Sequence, residues 1–115
     1  MNLRRYTLRV DGFASVQAPL SGGELVTRPL IFAGRELVLN FSASAAGSIQ
    51  VEMLRDQTDT PIDGFSLDSC VEVLGDDLER VVRWSGGPDV SRLAGVPVRL
   101  RFTLRDADLY SLRFR

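Results

Sequence analysis

The chain is 115 residues long, room for one domain, and its 44% apolar and 25% charged shares are those of a globular rather than a disordered protein. It has no histidine, and all 14 of its basic residues are arginine against 15 acids, for a net charge of −1. The missing histidine excludes Ser-His-Asp and Cys-His catalysis and most transition-metal sites. No apolar run approaches the ~18 residues of a membrane helix.

Met1-Asn2-Leu3-Arg4-Arg5 leads directly into a strand pattern, not into a signal peptide. Tyr6, Leu8 and Val10 then alternate with Arg5, Thr7 and Arg9, which predicts a strand with one buried face and one wet face. Turn signals follow at Asp11-Gly12, Ser21-Gly22-Gly23 and Ala33-Gly34. Leu37, Leu39 and Phe41 alternate with Glu36, Val38 and Asn40, and after Ala46-Gly47 the pattern resumes with Ile49, Val51 and Met53 against Ser48, Gln50 and Glu52.

Between Arg55 and Arg80 acids are dense: Asp56, Asp59, Asp63, Asp68, Glu72, Asp76, Asp77 and Glu79. Hard cations want several oxygens on a flexible loop, so calcium is one reading. A glycosidase-type carboxylate pair, ~5–9 Å apart, is another. The EF-hand spacing is absent, and Asp56-Gln57-Thr58-Asp59 before Pro61-Ile62-Asp63-Gly64 reads more simply as a hairpin connection. Cys70, the single cysteine, cannot form an internal disulfide; without a nearby histidine or lysine it reads as a small buried residue, not a nucleophile.

Trp84 ends the Glu79–Trp84 pattern, just before Ser85-Gly86-Gly87-Pro88. It is either a stacking platform for a pyranose ring or a core-edge residue sharing a face with Val82, and the second reading is preferred. Ser91-Arg92-Leu93-Ala94 is a single helical turn, stopped by Gly95 and Pro97. Val98, Leu100, Phe102 and Leu104 then alternate with Arg99, Arg101, Thr103 and Arg105, and Tyr110, Leu112 and Phe114 alternate with Ser111, Arg113 and Arg115. Asp106-Ala107-Asp108 between these two runs predicts a hairpin.

Counted together, roughly eight or nine strands are expected, packed as an antiparallel β-sandwich of jelly-roll type. The strand patterns begin and end almost at the termini, as in a module cut from a longer protein. Arg5, Arg9, Arg99, Arg101, Arg105, Arg113 and Arg115 all fall on outward phases. Planar guanidinium forks suit carboxylate, phosphate or sulfate. This face is therefore a candidate surface for an anionic glycan or an acidic neighbouring domain, with Arg99, Arg101 and Arg113 as its binding residues. The plainer reading is a solvated face paired with nearby acids. Nucleic acid is disfavoured by the acidic pI and by the absence of interleaved aromatics. Asp106 and Asp108 are candidate ligands for a calcium shared between chain ends, although acids beside a tight turn are more often turn formers.

Several stretches together resemble a family. They are Tyr6-Thr7-Leu8-Arg9-Val10-Asp11-Gly12-Phe13, Thr27-Arg28-Pro29-Leu30, Ala45-Ala46-Gly47-Ser48-Ile49, Asp63-Gly64-Phe65-Ser66-Leu67-Asp68 with Cys70, and Leu93-Ala94-Gly95-Val96-Pro97-Val98-Arg99-Leu100-Arg101-Phe102. The most specific is Leu104-Arg105-Asp106-Ala107-Asp108-Leu109-Tyr110-Ser111-Leu112-Arg113-Phe114. This order is similar to the C-terminal β-sandwich accessory module that follows a propeller in bacterial family 32-like (invertase- or levanase-like) or sialidase-like glycoside hydrolases. The resemblance implies a non-catalytic module covalently linked to a catalytic domain, stabilising it or binding a polysaccharide or oligosaccharide. No membrane partner is implied, and no cofactor beyond a possible calcium.

Overall fold

A computed structural model describes residues 4–10, 16–21 and 23–115 of the chain, with side chains for 23–75 and 79–115. The Asp11-Gly12 turn and the side chains of Arg5, Arg9, Asp76 and Asp77 lie outside the described residues.

The fold is all-β. Among the described residues, six strands form one sheet: β1 (Arg4–Val10), β2 (Val16–Ser21), β3 (Glu24–Val26), β4 (Leu37–Arg55), β5 (Asp76–Val81) and β6 (Val98–Phe114). Their order across the sheet is β1-β2-β3-β6-β4-β5. The expected eight or nine strands become six because β4 and β6, 19 and 17 residues long, continue through bends where the alternation suggested breaks. Asp106-Ala107-Asp108 is therefore no hairpin. Both flanking runs belong to β6, which pairs antiparallel with β4 from Leu37↔Phe114 to Arg55↔Val98.

Each bend has a local cause. Residues 44–47 of β4 stand opposite the single residue Asp106 of β6, whose φ of 44° is left-handed. A Cβ on Gly47 would lie 2.4 Å from the Asp106 carbonyl oxygen, so only glycine allows the two bends to meet. A second irregularity lies beside it. Asn40 pairs with Ser111 but Phe41 with Leu109, which makes Tyr110 the extra residue of a β-bulge. The bulge resets the alternation, so Tyr110 is 51% exposed although its phase predicted burial, while Leu109 and Leu112 are buried.

The bends curl the sheet. Along one edge of β6, Phe102 pairs with Leu25 of β3, and further on Ser111 and Leu112 pair in parallel with Arg9 and Val10 of β1. Strand β2 joins β1 to β3, so these four strands close a ring. Strand β4 covers the other edge of β6. Beyond β4 lies β5 on the first half and an irregular segment, 60–75, on the second.

The core collects Leu25 from β3, Leu39, Ile49 and Met53 from β4, Phe102 and Leu112 from β6, and Phe32 from the segment before β4. Phe32 and Phe114 stack at 4.0 Å between centroids. Burying a side chain of this kind contributes about 1.5–3 kcal/mol. Val38 and Glu52 sit on the phase expected to be wet, yet both are buried.

Candidate functional site

Trp84 is 2% exposed. Phe65 meets it edge-on at 5.2 Å, and its Nε1–H donates to the Val51 carbonyl at 3.0 Å. This bond repairs a gap. On the outer edge of β4, Ile49 exchanges backbone bonds with Val73, and Met53 with Ile62 and Phe65. Between them the neighbouring segment turns away as a 3-10 turn, Leu67–Ser69, leaving Val51 without a backbone partner on that side. The Cys70 sulfur accepts the Val51 N–H at 3.4 Å, and the Trp84 indole satisfies its carbonyl. A tryptophan held this way has no open ring face for a pyranose, which removes the stacking role and leaves the core-edge reading. Burial pushes the Cys70 thiol above its ordinary value, against a smaller downward pull from the Val51 N–H.

Arg99, Arg101 and Arg113 of β6, and Arg115 just past its end, are held within the chain. Arg99 pairs with Asp59 at 2.6 Å, and its Nε donates to the Thr27 carbonyl. Arg101 bridges Glu24 and Glu52, the latter at 3.1 Å, and Glu52 also accepts the Leu67 N–H. Arg113 pairs with Glu79 at 2.7 Å, and Arg115 with Glu36. An anionic ligand here would have to displace these carboxylates. Asp106 and Asp108 are both exposed at the β6 bend. Among the described residues no group of three histidine, cysteine or acidic side chains gathers to hold a metal ion.

The surface that does offer groups to a ligand lies elsewhere. A groove of about 590 Å³ runs between the 55–63 turn and the 92–98 segment. The turn is tight: Asp59 has φ 53° and its N–H returns to the Arg55 carbonyl, while Arg55 N–H reaches Thr60. Opposite it, a 3-10 turn (Ser91–Leu93) is started by Asp89, whose carboxylate accepts the Ser91 N–H at 2.9 Å. Bonds from Ser91's hydroxyl and backbone hold the Asp89 carboxyl below the usual range. Gly95, at φ 81°, then donates to the Phe32 carbonyl, which aims Val96 and Pro97 at the groove.

Leu93, Val96 and Pro97 make an apolar wall, with Val96 49% exposed. Arg55, Asp56, Asp63 and Arg92 supply the polar lining. Arg92 donates to the Asp63 carbonyl and lies over the Phe65 ring at 4.9 Å. It also lines a smaller hollow of about 280 Å³ with Gly64, Phe65, Trp84 and Gly87. Unlike Arg99, Arg101 and Arg113, neither Arg55 nor Arg92 makes a salt bridge among the described residues.

Sequence reasoning passed over Arg55 and Arg92. Their one local signal was position: Arg55 closes β4 where it enters a turn and Arg92 lies in a connecting turn, where binding groups concentrate. Comparisons with known protein families, with curated proteins and with solved structures find no match for this chain.

Proposed function

We propose that this chain is a non-catalytic accessory module of a polysaccharide-acting protein, and that it contacts carbohydrate through the groove between residues 55–63 and 92–98. The observation that carries this reading is the lining. An apolar wall from Leu93, Val96 and Pro97 can take the C–H face of a sugar ring, beside guanidinium donors and carboxylate acceptors that suit hydroxyls. The curled sheet fits the reading as a rigid frame for the groove. Affinity electrophoresis through neutral and acidic polysaccharide gels tests it. Retardation is expected on at least one gel, with loss on Val96→Asp and no change on Arg113→Ala. Unchanged mobility on every gel would remove direct binding.

A second reading is a docking domain without sugar contact. It is favoured by Ile31, a large apolar side chain left 51% exposed between Leu30, which pairs with Val98, and Phe32, which accepts the Gly95 N–H. Sizing of the chain alone and with the catalytic half of its parent separates the two. A complex that forms with the catalytic half and dissociates on Ile31→Asp would favour docking.

A further inference from the structure

We infer that the groove selects an acidic saccharide, a uronate-type sugar whose carboxylate is taken by Arg55 and Arg92; this rests on the carbohydrate reading above. Three arginines of β6 are matched to acids: Arg99 with Asp59, Arg101 with Glu24 and Glu52, and Arg113 with Glu79. Arg55 and Arg92 depart from this pattern. Both line the groove, and among the described residues neither has an ion-pair partner, although Asp56 and Asp63 line the same groove. A guanidinium presents planar paired donors, the geometry a carboxylate accepts.

The aspartates narrow the ligand class. Asp56 and Asp63 put negative charge beside the guanidinium groups, which disfavours a ligand that is only charge, such as phosphate or a densely sulfated chain. A sugar acid answers both requirements. It carries one carboxylate for the arginines and several hydroxyl donors for the aspartates, while its ring lies against Leu93, Val96 and Pro97. Arg92 is already oriented by its bond to the Asp63 carbonyl and by the Phe65 ring beneath it, so little side-chain freedom is lost on binding.

The test is a titration of the whole chain, followed by amide chemical shifts and calorimetry, with three probes: an oligogalacturonate, its methyl ester, and inorganic phosphate. The oligogalacturonate is expected to shift amides of residues 55–63 and 92–98. It is expected to lose about ten- to a hundredfold in affinity on Arg55→Gln, the loss of one charge-assisted bond. Arg92→Gln is expected to do the same; because Arg92 also packs on Phe65, Arg55→Gln is the deciding variant. Arg113→Gln is expected to leave affinity unchanged. Equal binding of the methyl ester would overturn acid selectivity while leaving carbohydrate binding in place. Phosphate binding as tightly, and competing, would reduce the site to a charge trap and overturn the inference. Failure of all three probes, together with unretarded migration on every gel, would overturn this inference and the proposed function together.

Discussion

Replacing Trp84 by phenylalanine would keep a ring against Phe65 but remove the donor to the Val51 carbonyl, which no strand is placed to satisfy. An unpaired buried acceptor costs about 1–3 kcal/mol, so Trp84→Phe is expected to lower the unfolding free energy by that much, read as a lower urea midpoint with an unchanged slope. Cys70 serves the other half of the same gap and titrates as well. Its thiol is raised by burial, so the folded chain keeps the proton to higher pH than the unfolded chain does. The associated stability is complete below the ordinary thiol pKa of about 8.5 and is lost as pH rises from there through the folded value. Denaturation series across that range should fall less steeply with pH for Cys70→Ala than for the parent chain. Equal slopes would show that the thiol is not the group responsible. That Cys70 is buried, and that Trp84 shares a face with Val82, was legible from phase and from the lack of basic neighbours. That both reach the same residue was not.

At the scale of the element, the paired bends of β4 and β6 depend on one close approach. Gly47→Ala would drive a methyl group into the carbonyls of Arg105 and Asp106, at 2.7 and 2.4 Å, and backbone cannot swing aside as a flexible side chain can. A loss of about 1–3 kcal/mol is expected, read from chemical denaturation. Arg101 belongs at this scale too, because it ties β6 to Glu24 on β3 and to Glu52 on β4. Glu52 is 4% exposed, so Arg101→Leu strands a buried carboxylate with only the Leu67 N–H; a loss of about 2–3 kcal/mol is expected, partly restored by adding Glu52→Gln. Arg113→Ala removes an exposed pair and is expected to change stability by less than about 1 kcal/mol. Equal losses at Arg101 and Arg113 would contradict this ranking. The alternation marked all these arginines as outward and alike; burial of their partners distinguishes them, and partner burial is not a property of the strand that carries the arginine.

Across the whole molecule, β4 reaches both halves of the sheet, since it pairs with all of β6, with β5 and with the 60–75 segment. Trp84 fluorescence and far-ultraviolet circular dichroism are therefore expected to report one coincident unfolding transition. Separate midpoints would show that the ring of β1, β2, β3 and β6 opens independently of the rest. The amino-acid sequence by itself determined the all-β class, the inward faces of most strands and the positions of the tight turns. These follow from a period of two and from glycine, proline and aspartate chemistry acting over a few residues. Only the tertiary structure decided whether an interruption bends or ends a strand, which way Tyr110 points after a bulge, and that Arg99 meets Asp59, 40 residues away, while Arg55 and Arg92 face a groove. Those outcomes depend on which distant segments come to lie side by side, and spacing along one strand carries no information about its neighbour.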